Sequence, residues 1–172
     1  MIRRMTEADL TTITRLDAHI FGLEAWTRSE FEHEIADPHR YYLVASGMDS
    51  TNGFTPAGEK TEASYSAILG YTGVWTGGEG SAAYLLTLAV APSARHSGVG
   101  TALITSAVRI ARKARCRQIR LEVRVDNLEA IRLYTKLGFT RIGYEPHYYQ
   151  PEDVDAYVMA HSLVDSSPAD QV

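Results

Sequence analysis

The sequence predicts a mixed α/β chain in which strands and helices interleave around one sheet. Residues 82–90 are apolar almost throughout, as suits a central strand buried on both faces. Residues 118–125 alternate, with Ile119, Leu121, Val123 and Val125 facing one way and Gln118, Arg120, Glu122 and Arg124 the other. Between and around these runs, apolar residues recur at helical spacing: Leu10, Ile13, Leu16 and Ile20, then Leu103, Ala107, Ile110, Ala111 and Ala114.

In chain order, residues 1–45 read as a strand, one or two helices and another strand. Thr6 to Asp9 and Thr27 to Glu30 have the spacing of capping boxes at the two helix starts. Phe31 and Ile35 form the short stripe of the second helix, which Pro38 ends. Tyr41 to Ala45 is rich in strand formers. Residues 46–64 are mostly Gly, Ser, Thr, Asn and Glu, with no apolar period. They read as a long loop, either an inert surface insertion or a functional lid. Residues 67–75 form a strand pattern interrupted by Gly70 and Gly73, and Gly77 to Gly80 makes a turn. After the strand at 82–90, a helix runs over 98–114. Arg109, Arg112, Lys113 and Arg115 gather at its end, as a solvated helix terminus or a phosphate patch. Beyond the strand at 118–125, a helix over 127–137 shows Ala130, Ile131, Tyr134 and Leu137 on one side and stops at Gly138. Residues 139–144 and 156–160 supply two last strands.

The chain has 172 residues, 45% hydrophobic and 22% charged, which suits one folded domain over residues 1–165 with a disordered tail at 166–172. A net charge of −4 argues against nucleic-acid binding by bulk electrostatics. The single cysteine, Cys116, excludes an internal disulfide and any multi-cysteine zinc site, and the 6 histidines show no metal spacing. Met1 to Glu7 lacks an apolar signal core, and no apolar run approaches the ~20 residues of a membrane span. The expected compartment is the cytoplasm, with no membrane partner and no metal.

The informative segment is Leu88-Ala89-Val90-Ala91-Pro92-Ser93-Ala94-Arg95-His96-Ser97-Gly98-Val99-Gly100-Thr101. A strand runs into a turn and the turn opens a helix, with Arg95-x-x-Gly98-x-Gly100 at the junction. This is an anion site in physical terms: glycines let the backbone approach closely, free N–H groups point outward, and the helix dipole favours negative charge. Arg95 and His96 add positive charge. The dinucleotide fingerprint fails because Leu103 occupies its third glycine position, and a Walker loop fails because no Gly-Lys-Ser/Thr is present.

Arg95-x-x-Gly98-x-Gly100 resembles the pyrophosphate loop of the GCN5-related N-acetyltransferases, which use acetyl-coenzyme A. Residues 121–127 and 130–139 are similar to the bacterial ribosomal-protein-alanine N-acetyltransferases within that superfamily. So are His147-Tyr148-Tyr149 with residues 155–159, and Trp26-Thr27 with Phe31. The resemblance implies a single-domain fold: a mixed, mostly antiparallel sheet flanked by helices, with a splayed central strand pair. The implied reaction is transfer of acetyl from acetyl-coenzyme A to a protein N-terminus, the natural target being the N-terminal alanine of a small-subunit ribosomal protein. Three features depart from the pattern. Ala25 stands where relatives often have proline, Ser97 replaces a commonly basic or glycine residue, and residues 46–64 are an addition.

The resemblance makes Glu122 the general base, acting through water; on alternation alone it reads equally as a surface glutamate paired with Arg120 or Arg124. Tyr134 becomes the general acid for the departing thiolate, against a reading as a core tyrosine. Asn127 is a helix cap or also a cofactor contact. By resemblance, the backbones of Leu88, Ala89 and Val90 pair with the pantetheine arm, and residues Arg95 to Thr101, including Ser97 and Val99, hold the pyrophosphate. Trp26, Tyr148 and Tyr149 line the peptide groove, the two tyrosines reading otherwise as ordinary strand aromatics. Acceptors other than an N-terminus (lysine, a polyamine, an aminoglycoside) and a non-catalytic acyl-coenzyme A-binding module remain open. Retention of Glu122 and Tyr134 argues against the last.

Overall fold

The computed structural model of the chain describes residues 1–47 and 68–164. It divides into two compact units: the chain up to Trp75 with Leu86–Ala107, and Thr76–Leu85 with the chain from Val108 onward. All but the start of the loop expected at 46–64, and the whole of the tail expected at 166–172, lie outside the described residues.

In the first unit, β1 (Ile2–Arg4) pairs antiparallel with β2 (Arg40–Ser46), which pairs antiparallel with β3 (Ile68–Thr76). α1 (Leu10–Phe21) buries Leu10, Ile13 and Leu16 completely, the stripe its spacing predicts. α2 (Arg28–Ala36) buries Phe31. Its capping box is formed: Glu30 N–H donates to Thr27 Oγ1 (3.3 Å) and Thr27 N–H to Glu30 Oε2 (2.6 Å). The Arg40 guanidinium and the Tyr42 hydroxyl both donate to the Glu34 carboxylate, fastening α2 to β2. Met5, Leu10, Ile13, Leu16, Phe31, Tyr42, Val44, Ile68, Tyr71 and Ala89 form one buried cluster. Burial of such side chains contributes about 1.5–3 kcal/mol each.

β4 (Ala82–Val90) and α3 (Val99–Lys113) each run from one unit into the other. In the second unit, β4 pairs in parallel with β5 (Gln118–Arg124) through Ala82, Ala83 and Tyr84. β5 then pairs along its length with β7 (Val154–Ser162), which pairs antiparallel with β6 (Thr140–Tyr149). α4 (Leu128–Lys136) connects β5 to β6. The seven-stranded sheet has the order β1-β2-β3-β4-β5-β7-β6, mostly antiparallel with one parallel pair.

Three details correct the sequence reading. β4 is not buried on both faces: Ala83, Leu85 and Ala89 are buried, while Tyr84, Leu86, Leu88 and Val90 are half-exposed. An apolar run has the same composition whether its second face is packed or partly open. β5 ends at Arg124, and Val125 instead donates its N–H to the Asp155 carbonyl (3.1 Å). The last strands outrun residues 139–144 and 156–160, because β6 continues through Pro146 and a left-handed His147 (φ 56°) with its register shifted between Glu145 and Tyr149. A proline and an irregularity of that kind mask a strand in sequence.

Candidate active site

The first unit carries the strand–turn–helix segment as one continuous device. Ala91 N–H donates to the Leu69 carbonyl (2.9 Å), and a 3-10 turn over Pro92–Ala94 follows. The chain then passes through extended Arg95, left-handed His96 (φ 59°) and Gly98 (φ 86°). Ala102 N–H donates to the Gly98 carbonyl (3.0 Å). The N–H groups of Val99, Gly100 and Thr101 therefore have no helical carbonyl one turn earlier to receive them. Together with the dipole of α3 and the exposed side chains of Arg95 and His96, these donors suit a pyrophosphate. Ser97, a departure from the family pattern, donates its hydroxyl to the Ala94 carbonyl (2.6 Å) and so closes the turn.

Leu88 and Val90 of β4 are half-exposed and Ala89 is buried. β3 approaches this strand so closely at Gly70 that a Cβ there would lie 2.5 Å from the Ala89 carbonyl oxygen. Thr72 Oγ1 donates to the Thr87 carbonyl (2.7 Å) just before it.

Trp26 also belongs to the first unit. Its ring packs against Phe31 (5.4 Å between centroids) and Tyr42 (6.3 Å). Its backbone N–H donates to Asp17 Oδ2 (2.6 Å), and the Tyr71 hydroxyl donates to Asp17 Oδ1. Asp17 is only 2% exposed, and burial pushes its carboxyl above the usual range. Sequence reading missed it, although a carboxylate falling between Ile13 and Ile20 on the apolar stripe of α1 is a signal, since buried charges are rare without partners.

The second unit holds the proposed acid and base. Glu122 is half-buried on the polar face of β5. Its neighbours on that face are already engaged. Gln118, with its amide oxygen turned toward Arg120, accepts from that guanidinium at 2.6 and 2.8 Å. Arg124 donates to both carboxylate oxygens of Asp126 (3.1 Å each), lies 3.9 Å from Glu152 and sits over the Tyr149 ring. Among the described residues Glu122 forms no ion pair, although the Arg120 guanidinium still acts on it electrostatically. Burial, reinforced by the Glu145 carboxylate and opposed by Arg120, raises its pKa above the ordinary carboxylate value.

Tyr149 donates its hydroxyl to the Glu122 carbonyl (3.3 Å), and the Tyr148 ring stacks edge-on against it (5.0 Å). Burial and then Glu122 raise the Tyr148 phenol. Tyr134 lies on α4, 7% exposed, with its ring 5.7 Å from Phe139. Its hydroxyl makes no hydrogen bond to another described residue. Burial, with a smaller effect of Tyr149, raises its phenol above the usual value. Asn127 caps α4 by accepting Ala130 N–H (3.1 Å). Glu122, Tyr148 and Tyr149 are thus brought together, with Tyr134 close enough to Tyr149 for the two phenols to interact; Glu145 joins them as a residue the sequence did not single out. No cluster of metal-ligating side chains occurs among the described residues, and no helix there is long and apolar enough to cross a membrane.

Residues 10–139 match the family model of the GNAT acetyltransferases. The chain is 30% identical to the N-alpha-acetyltransferase RimI of Mycobacterium tuberculosis, over 96% of this chain and 94% of that one. It is 30% identical to a putative ribosomal protein bS18-alanine N-acetyltransferase of Bacillus subtilis, over 92% of each. It is also 32% identical to an uncharacterized protein of Mycobacterium leprae, over 92% of this chain but only 40% of that protein's length. Among solved structures, the Escherichia coli ribosomal-protein-S18-alanine N-acetyltransferase superposes with a TM-score of 0.73 at 21% identity, covering 100% of this chain and 99% of that one. With its strand order, its glycine-bearing turn before α3 and these matches, the chain belongs to the GNAT family of acetyl-coenzyme A-dependent N-acetyltransferases.

Proposed function

We propose that the chain acetylates the N-terminal α-amine of a protein, with the N-terminal alanine of a small-subunit ribosomal protein as its acceptor. The observation that carries this reading is Glu122: a half-buried carboxylate with raised pKa and no ion pair among the described residues, flanked by Tyr148 and Tyr149. The names of the Mycobacterium tuberculosis and Bacillus subtilis relatives support the acceptor class. A ribosomal acceptor would place the reaction in the cytoplasm.

Bound acetyl-coenzyme A supplies the acetyl group as an activated thioester. The N–H groups of Val99, Gly100 and Thr101, with Arg95 and His96, hold its pyrophosphate, and the backbones of Leu88, Ala89 and Val90 hold its amide-bearing arm. Asn127, beyond capping its helix, contributes a further polar contact to the same molecule. Glu122 accepts the proton that the amine sheds as its nitrogen forms the new amide bond, through a bridging water. Tyr134 gives its hydroxyl proton to the leaving sulfur and regains a proton once the products have left. A buried phenol is a weaker acid than a free one, so this transfer must be concerted with cleavage of the C–S bond.

An α-amine titrates near ~7.7–8.0 and lysine near ~10.4, so far more of the former is neutral at pH 7. Trp26, Tyr148 and Tyr149 border the acceptor and hold its first residues extended. The test is acetylation of peptides that begin with alanine and also contain lysine, with mass spectrometry locating the acetyl group. The terminus should be modified, and blocking it should abolish the reaction. Equal turnover of the blocked peptide on lysine, or turnover of a polyamine or aminoglycoside alone, would overturn the acceptor while leaving the family assignment intact.

A further inference from the structure

We propose that Asp17 is a positioning residue for the acceptor: its carboxylate fixes the segment between α1 and α2 that presents Trp26 and Leu23, and so sets how tightly the acceptor binds. The inference rests on the reading that Trp26 borders the acceptor. Asp17 sits on α1 at 2% exposure, where a carboxylate costs stability unless its oxygens are occupied. Both are occupied, and by different parts of the unit. Oδ2 accepts the Trp26 backbone N–H at 2.6 Å, and Oδ1 accepts the Tyr71 hydroxyl from β3.

The segment thus held is short and has little else to define it. Gly22 departs from the helix with φ 58°, and Ala25 N–H donates to the Gly22 carbonyl (3.3 Å) to close one 3-10 turn. Leu23 in that turn is 97% exposed, an apolar side chain offered to solvent three residues before Trp26 rather than packed in the core. Trp26 is held on its other side by the Phe31 and Tyr42 rings. Asp17 therefore controls the backbone of Trp26 while the aromatic cluster controls its ring. A hydrogen bond from an amide to a buried carboxylate is among the stronger ones available. Losing it would free the segment to sample other arrangements, and an acceptor would then bind only the fraction still correctly arranged.

The experiment measures KM for an alanine-initiated peptide and KM for acetyl-coenzyme A separately in Asp17→Ala, Asp17→Asn, Trp26→Ala and Asp9→Asn. Asp17→Ala should raise the peptide KM roughly tenfold, which corresponds to about 1.4 kcal/mol, and leave the acetyl-coenzyme A KM unchanged. Asp17→Asn keeps an oxygen for the Trp26 N–H and an amide for the Tyr71 oxygen, so it should restore most of the peptide affinity. Asp9, itself buried, pairs with the partly exposed Arg3 (2.6 and 2.8 Å), and neither touches Trp26; Asp9→Asn should destabilise the fold without moving the peptide KM. A purely structural role for Asp17 predicts that Asp17→Ala behaves like Asp9→Asn, and that result would overturn the inference. If Trp26→Ala leaves the peptide KM unchanged, the acceptor reading itself fails and the inference with it. Should Asp17→Ala fail to fold, hydrogen exchange of the Trp26 amide in the native chain decides the matter. Saturating peptide should slow that exchange, and exchange indifferent to peptide would refute the link.

Discussion

Gly70→Ala is a minimal perturbation that reaches β4, the strand proposed to hold the cofactor. The added Cβ would lie 2.5 Å from the Ala89 carbonyl oxygen, 3.2 Å from Val90 Cα and 3.3 Å from Val99 Cγ1. Non-bonded heavy atoms settle near 3.5–4.0 Å, so β3 or β4 must yield by about 1 Å. The atoms that resist are backbone, not the end of a flexible side chain. Overpacking of this kind costs about 1–3 kcal/mol, and melting temperature falls by about 2–4 °C per kcal/mol in a chain of this size. Displacement of the Ala89 carbonyl should also raise the acetyl-coenzyme A KM, because misplacement by about 1 Å at a reacting centre costs up to 10²-fold in rate. Gly73→Ala on the same strand is the matched control: its Cβ would lie 2.5 Å from the Tyr42 ring, on the Trp26 side of the unit. It should lower the melting temperature similarly and disturb the peptide KM instead. Thermal melts with separate KM measurements check both variants. A Gly70→Ala protein with unchanged melting temperature and unchanged acetyl-coenzyme A KM would refute the close-approach argument.

Glu122→Gln should lower kcat by roughly 10²–10⁴ with acetyl-coenzyme A affinity retained, measured by steady-state kinetics and calorimetry. Because the folded-state pKa of Glu122 lies above its unfolded value, ionising this carboxylate opposes folding. That cost is absent below the unfolded pKa and complete above the folded one, so Glu122→Gln should melt higher than the native chain at pH 7 but not at pH 4. In the native enzyme the acid limb of kcat/KM should fall above the ordinary glutamate pKa of about 4.5. Tyr134→Phe should slow turnover without changing the melting temperature by more than a few degrees, since the ring packing on Phe139 is kept; undiminished turnover would show another proton donor. Gly98→Ala has open space for its methyl group but a φ of 86° that an L residue resists, so it should weaken acetyl-coenzyme A binding in calorimetry.

Fold class, helix stripes and caps were legible because they are local. Leu10, Ile13 and Leu16 announce a buried face by spacing alone, and Asn127 announces a cap by its position before α4. The polar face of β5 was equally plain. What the alternation could not show is which of its charges remain unpaired. That depends on Gln118, Asp126 and Glu152, and one of these arrives from a distant part of the chain. Asp17 was hidden for a related reason: its partners Trp26 and Tyr71 meet it only when β3 packs against α1. The second half of β6 was obscured by Pro146 and the left-handed His147, both of which argue locally against a strand.

With Glu122 as the proposed base, the pairings along β5 make its basicity depend on residues outside the proposed acceptor groove. Arg124 stands two residues along the same face and is restrained by Asp126 and Glu152. Remove Asp126, and the guanidinium loses two of its hydrogen bonds and can turn toward Glu122 on the same face. A new ion pair would pull Glu122 back toward, or below, the ordinary carboxylate value, leaving a weaker base in an undamaged site. On that reading a surface exchange at Asp126 or Gln118, which touch no part of the proposed acceptor groove, should lower turnover by releasing a neighbouring guanidinium from its present partner.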